Sequence, residues 1–449
     1  MKRFAFILPA LLVLACAGPS ASHKKDLNDK LAAKNYGAAV AQIDQKMDDE
    51  YGKSSEVLYL LDKGAVLHFA GRFAESDMAL DKAELKIDEL YTKSVTQAVG
   101  QYISNDNTTD YRGRAYEKVL LHLLRALNST MMNKPDEAVV EAKRMSAFLA
   151  QLGDGSINAG SSYNDDLLAH VLSQLVLEDA GRTADVDVSK RLAANAATKL
   201  KTAQAGATGA AAQTKTKALK TDLDPTVFEA PMGPNEGEII LVHYNGPGAR
   251  IDSVHEEMAF GKVIPFLAGL PKEVSDPIGA ALKTYSAENI LYAMPTYSPD
   301  PFRIVGSKVF VNGKEACSTQ LAEDLSGMAF NILQDNYDAI KTRAVIRGAL
   351  KFVAAKVVEE QAKKQGGALG SLASSGAKAG IKASEIADTR IWSTMPSEIR
   401  LGHSHVQAGL VDVKVVYVDK NGKTVMEEAY PKLTVNAGKR TYVPVRTML

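Results

Sequence analysis

Cysteine is nearly absent: the 449 residues contain two, Cys16 and Cys317. That excludes the disulfide framework of small secreted domains. Net charge is absent as well, with 53 basic residues against 53 acidic ones, which argues against a nucleic-acid binder or a polybasic membrane-surface protein. No transmembrane-length apolar stretch opens the chain. The run from Phe4 to Leu14 is broken by Pro9 and is about half the ~20 residues a spanning helix needs. Catalytic signatures are missing too: there is no GxSxG elbow, P-loop, HExxH helix, zinc-spaced cysteine pair or dinucleotide fingerprint. The sequence therefore assigns no catalytic residue, no cofactor and no metal set, and points away from an enzyme.

What is present begins with an address. Lys2 and Arg3, the apolar run and small Ala15 before Cys16 form a signal-peptide layout over residues 1–15. Val13-Leu14-Ala15-Cys16 resembles the lipobox of bacterial lipoproteins, although Leu14 is bulkier than usual there. That resemblance implies acylation of Cys16 and membrane anchoring by two or three chains, each buried methylene contributing ~0.8 kcal/mol. Ala17, in place of the aspartate that retains enteric lipoproteins at the inner membrane, implies an outer-membrane lipoprotein facing the periplasm. Removal of residues 1–15 takes away Lys2 and Arg3, leaving 51 bases (53 minus two) against 53 acids. With Cys16 acylated, Cys317 has no partner and reads as a small buried hydrophobe. Residues 16–25 are small and polar, as in a flexible tether.

Residues 26–200 have helical periodicity and hardly any proline. Gly64, Leu67, Gly71, Phe73, Leu80 and Ala83 stand where a 34-residue tetratricopeptide repeat (TPR) places its small and large residues. Gly64 would let paired helices approach, Gly71-Arg72 would turn, and Phe73 would start the second helix. Ser76 occupies an expected alanine position. Asn35 to Ala39, Tyr116 to Met145 and Leu167 to Ala194 supply weaker matches. The expectation is a TPR-like α-helical repeat domain, with an ordinary helical bundle as the alternative.

Residues 201–236 read as a linker, being small and polar before Asp224-Pro225 and Pro231 to Gly237. Residues 237–449 read as a C-terminal α+β domain, the whole chain being a multidomain α plus α+β protein. Strands are expected at Glu238 to Tyr244, Asn289 to Tyr297 and Phe302 to Val311, and helices at Gln320 to Leu333 and Tyr337 to Gln365. Alternating residues from Val411 to Val445 predict a meander, forming a small antiparallel β-sandwich or sheet on the long helix. The segment 366–380 reads as an extended loop or small-residue helix.

Three groups stand out as candidates. Asp388, Arg390 and Trp392 form either a buried ion pair under an indole or part of a ligand pocket. Arg343 and Arg347, with Lys351, share one helical stripe that suits an anion or simply faces solvent. His403 and His405 share the parity of two metal ligands, yet no third ligand is identifiable in the sequence.

The lipobox, the repeats with Tyr116 to Leu120 and Glu137 to Ala142, and the stretches Arg343 to Arg347 and Ala387 to Trp392 together resemble a family of uncharacterised bacterial envelope lipoproteins. The resemblance implies a repeat domain and a C-terminal domain of unassigned function, in some relatives beside lipoproteins that stimulate peptidoglycan synthases. The expected function is a membrane-anchored scaffold that binds a protein or peptide on its repeats. Its partners would be the membrane, through acyl chains on Cys16, and that protein or peptide, with no nucleic acid. A structural subunit of a secretion or motility ring is the alternative, and an enzyme with a C-terminal site the remaining one.

Overall fold

A computed structural model describes residues 18–93, 109–155, 163–207, 217–365 and 384–449. Cys16 and the 366–380 stretch lie outside the described residues.

An N-terminal helical region precedes a C-terminal sheet region. The helices pair as consecutive hairpins: α1 (Ala21–Ala32) with α2 (Tyr36–Gln45), α3 (Glu56–Phe69) with α4 (Phe73–Lys93), α5 (Ala115–Met131) with α6 (Pro135–Gly153), and α7 (Leu167–Asp179) with α8 (Thr183–Ala207). One turn serves all of them. Lys34, Gly71, Asn133 and Gly181 adopt φ of 55°, 72°, 56° and 69°. The next residue's N–H then reaches back to close the helix, Asn35 to the Lys30 carbonyl (2.9 Å), Arg72 to Leu67 (2.9 Å), Lys134 to Ser129 (2.8 Å) and Arg182 to Leu177 (2.8 Å). This Schellman closure needs a left-handed residue, which glycine and asparagine adopt most cheaply; Lys34 adopts it without that advantage.

Gly64 sits where α4 crosses α3, and a Cβ there would lie 2.5 Å from Leu80 Cδ2. The Ser76 hydroxyl donates to the Gly64 carbonyl at 2.7 Å, so serine in the alanine position ties the two helices together. Helices α3, α5 and α7 touch in succession, and α7 is buried at every position from Leu167 to Leu177. A helix apolar all round must be covered on all sides. The sheet region covers the side that α4, α6 and α8 leave open.

That region comprises β1 (Glu236–Asn245), β2 (Arg250–Ala259), α9 (Lys272–Tyr285), β3 (Asn289–Ser298), β4 (Gly306–Val311), β5 (Lys314–Ser318), β6 (Gln320–Glu323), α10 (Leu325–Asp335), α11 (Tyr337–Gln365), β7 (Glu398–Gln407), β8 (Gly409–Val418), β9 (Thr424–Val435) and β10 (Arg440–Thr447). Two four-stranded sheets, β10-β1-β7-β6 and β5-β4-β8-β9, bury Ile239, Leu241 and Val443 against Val309, Val413 and Val415. The opposite face of β1, with Ile240, Val242 and Tyr244, joins the core of the helices. Burial on both faces explains why β1 reads as a continuous apolar run.

Several expectations are corrected. The tether expected at 16–25 is helical from Ala21, with His23 and Lys24 buried. Its first turn is capped by Ser20, and the low apolar content hid the core residues Leu27 and Leu31. The linker expected at 201–236 is ordered where it is described, residues 208–216 lying outside the described residues. Helix α8 continues to Ala207, and the Lys217 backbone exchanges hydrogen bonds with Asn331 at 2.8 and 2.7 Å, while Leu223 and Phe228 enter the core. Residues 320–333 begin as strand β6, and Asp324 then caps α10 by accepting from the Gly327 N–H at 2.9 Å. The meander is broken: β8 and β9 pair, but β10 runs parallel to β1 in the other sheet, where both of its faces are buried. Helix α11 packs not on the sandwich but on β3 of the antiparallel β2–β3 pair, through Ala344, Val345 and Ala349 against Ile290, Tyr292 and Met294. Nor do the two regions have separate cores, since Leu61, Leu120 and Leu172 share one cluster with Ile240, Val242 and Trp392.

Candidate functional site

Residues 384–397 connect to β7 as an irregular segment running between the inner helices and the sheet. Three of its side chains are the sequence candidates. Arg390, 2 % exposed, holds Asp388 with Nε at 2.9 Å from one carboxylate oxygen and Nη2 at 2.8 Å from the other. Its Nη1 donates to the carbonyls of Ser54 (3.1 Å) and Thr109 (2.8 Å), so the guanidinium joins the segment to two loops of the helical region. Burial raises the Asp388 pKa, but Arg390 outweighs it and holds the carboxyl below its ordinary value.

Trp392 is seated by neighbouring carboxylates. Its N–H donates to Glu117 of α5 at 3.0 Å, and its indole N–H to Thr394 at 3.1 Å. The Thr394 hydroxyl and N–H both donate to Asp62 of α3, at 2.7 and 3.2 Å. Tyr51 donates to the other Asp62 oxygen at 2.9 Å. Complete burial pushes Asp62 up to about 6, although these donors oppose the shift. Lys24 of α1 donates to the Thr389 carbonyl at 3.2 Å. Gly248, after β1, permits the approach: a Cβ there would meet the carbonyl oxygens of Ser393 and, at 2.5 Å, Met395.

The second candidate pair divides. Arg347 is buried and pairs with Glu385 at 2.9 Å, and Lys351 binds the other oxygen of Glu385 at 2.6 Å. Arg343 instead lines a cavity of about 280 Å³ with Arg114, Arg347, Asp388 and Asn336. The structure thus brings all five candidates to one region, where Asp388, Arg390, Trp392 and Arg347 fasten the segment. The two readings of Asp388 and Arg390 are compatible, since Asp388, paired with the buried Arg390, also borders the cavity. Cys317 is only partly buried, and its thiol is pushed up to about 11 by desolvation, which leaves little thiolate near neutral pH.

Asp62, Glu117, Lys24, Arg114 and Thr394 were not evident as members of this cluster. Asp62 did leave a signal, being an acid between the apolar residues Leu60, Leu61, Ala65 and Val66 of α3. Within the helical region, where the sequence suggests a protein or peptide partner, α3 and α5 are covered by this segment and α7 by β6 and Phe228.

No protein-family model, curated protein or solved structure matches the chain.

Proposed function

We propose that this chain is a lipid-anchored envelope scaffold, acylated at Cys16 and binding a partner protein through its helical region. The hairpins are read as TPR-like repeats; the shared turn, the Gly64 approach and the helix start at Phe73 support this. The inner row being covered, the partner-binding surface is assigned to the outer helices. The observation that carries the assignment is the exposure of large apolar side chains there: Met78 and Leu85 on α4, Val140 on α6, Val188 and Leu192 on α8, with Leu85 64 % exposed. Such side chains, where they gather, mark protein contact surfaces. No helix among the described residues is long and apolar enough to cross a membrane. A role in cell-envelope or peptidoglycan-synthesis assembly follows from the family resemblance.

The test is crosslinking and pull-down from membranes with the wild-type chain, a Leu85→Lys, Val140→Lys variant and Cys16→Ser. A specific partner retained by the wild type and lost with the double variant supports the surface. Equal recovery by both overturns it. Cys16→Ser should move the chain to the soluble fraction, and continued membrane fractionation would refute the anchor.

A further inference from the structure

The two histidines that lacked a third partner in the sequence acquire one from the fold. Strands β1 and β7 pair antiparallel, with Glu238 opposite His405 and Ile240 opposite His403. Residues two apart on a strand share a face, so Glu238, His403 and His405 project together, on the side of β1 that faces the helices. A ligand atom from each lies within 4.8 Å of the other two.

We propose that Glu238, His403 and His405 form a binding site for a divalent first-row transition ion. Two imidazoles and a carboxylate suit Zn²⁺, with further coordination open to solvent or another ligand. Donors 2.0–2.2 Å from a tetrahedral ion are separated by about 3.3–3.6 Å. His403 Nδ1 and Glu238 Oε1 already stand 3.0 Å apart. The His405 ring, edge-on to His403 with centroids 5.7 Å apart, has to turn inward to complete the set, and both histidines are partly exposed.

The local charge favours a cation. Arg440 Nε binds the other Glu238 oxygen at 2.7 Å, leaving Oε1 to face the histidines, and the same guanidinium is shared with Asp179 at 2.8 Å and Glu178 at 2.5 Å. Lys190 reaches Glu178 at 3.2 Å. Three carboxylates thus converge on two cations. Phe228, 5.1 Å from the His403 ring, fixes that ring from the strap between α8 and β1.

A second constellation, Glu84, His122 and Glu141, provides the internal control. Each of its carboxylates is held by both Arg125 and Arg144, against the single Arg440 on Glu238, and His122 is 2 % exposed, so it has more cations in place and little access.

The experiment titrates the metal-free full chain with Zn²⁺ by calorimetry and with Co²⁺ by visible absorption. One equivalent should bind to the wild type. Loss of a supporting hydrogen bond to a ligand costs roughly 10–100-fold in affinity, so loss of a ligand in His405→Ala should cost at least roughly a hundredfold. His122→Ala should change nothing. His405→Cys should restore binding and give the Co²⁺ complex a near-ultraviolet thiolate band. Far-UV circular dichroism and the denaturation midpoint in chelator establish that each variant folds. Absence of binding to the wild type, equal binding by folded His405→Ala, or loss confined to His122→Ala each overturns the proposal.

Discussion

Asp62→Asn tests the segment–helix contact through its pH dependence. A carboxyl whose folded pKa exceeds its unfolded value binds protons more tightly when folded, so its contribution to stability falls as pH rises between the two values. For Asp62 that window runs from 3.8 to about 6, and the difference of 2.2 units, at 1.36 kcal/mol each, corresponds to about 3 kcal/mol. His68 works in the opposite direction. It is 1 % exposed and bridges Asn128 (2.7 Å) and Tyr244 (3.0 Å), and desolvation pushes it from 6.5 down to about 4. Its contribution is present above pH 6.5 and is lost as pH falls toward 4, again about 3 kcal/mol from the 2.5-unit shift. The two slopes nearly cancel in the wild type. Asparagine at position 62 removes one of them while keeping an acceptor for Thr394. Urea denaturation can be followed by the emission of Trp392, the sole tryptophan, which adjoins the contact. Relative to the wild type, Asp62→Asn should gain about 3 kcal/mol between pH 4 and 7. A difference that does not change with pH would refute the assignment of a raised pKa to Asp62.

Gly248→Ala forces a methyl group against the carbonyls of Ser393 and Met395; it should destabilise by about 2–3 kcal/mol and shift Trp392 emission to the red at neutral pH. Arg390→Ala removes the buried guanidinium that holds Asp388 and the Ser54 and Thr109 carbonyls and should cost about 2–3 kcal/mol, measured by the same denaturation; loss below 1 kcal/mol would refute a structural role for Arg390. Cys317, its pKa raised to about 11, should react with iodoacetamide at pH 8 many times more slowly than a free cysteine, as followed by mass spectrometry.

Local patterning made the helical hairpins legible because their turns carry their own chemistry. Gly71 and Gly181 take the left-handed position, Asn35 caps α2, and Pro135 opens α6 where a missing N–H costs nothing. Strand β1 was legible for a similar reason, its apolar run ending at Asn245. What the sequence left hidden depends on partners distant in the chain. Strand β2, with a largely exposed polar face, has no apolar run to announce it. Helix α1 is polar overall and acquires its place from Tyr51, Thr389 and the core. Likewise Arg390 and Trp392 stood out by composition, but their function as anchors required Ser54, Asp62 and Glu117, hundreds of residues away. The histidines show the same limit: their spacing was visible, whereas Glu238 becomes their neighbour only when β1 and β7 pair.

The covered inner row also constrains how any partner can act. A free peptide competing for α3 and α5 must displace a segment whose effective concentration is on the order of millimolar because it is tethered. It must also replace the hydrogen bonds that Arg390 donates to the Ser54 and Thr109 carbonyls of the helical loops. Gly18 lies against the Arg390 side chain, where a Cβ would stand 2.5 Å from Arg390 Cγ. An acylated Cys16, two residues before Gly18, would therefore bring this contact close to the bilayer rather than holding it at the end of a long tether. A partner acting at α3 and α5 would have to prise out Trp392 and, on the proposed acylation, reach it near the bilayer. A partner acting on α4, α6 and α8 would have to do neither, which is why the outer helices carry the binding assignment and why Trp392 emission should remain unchanged when the partner binds.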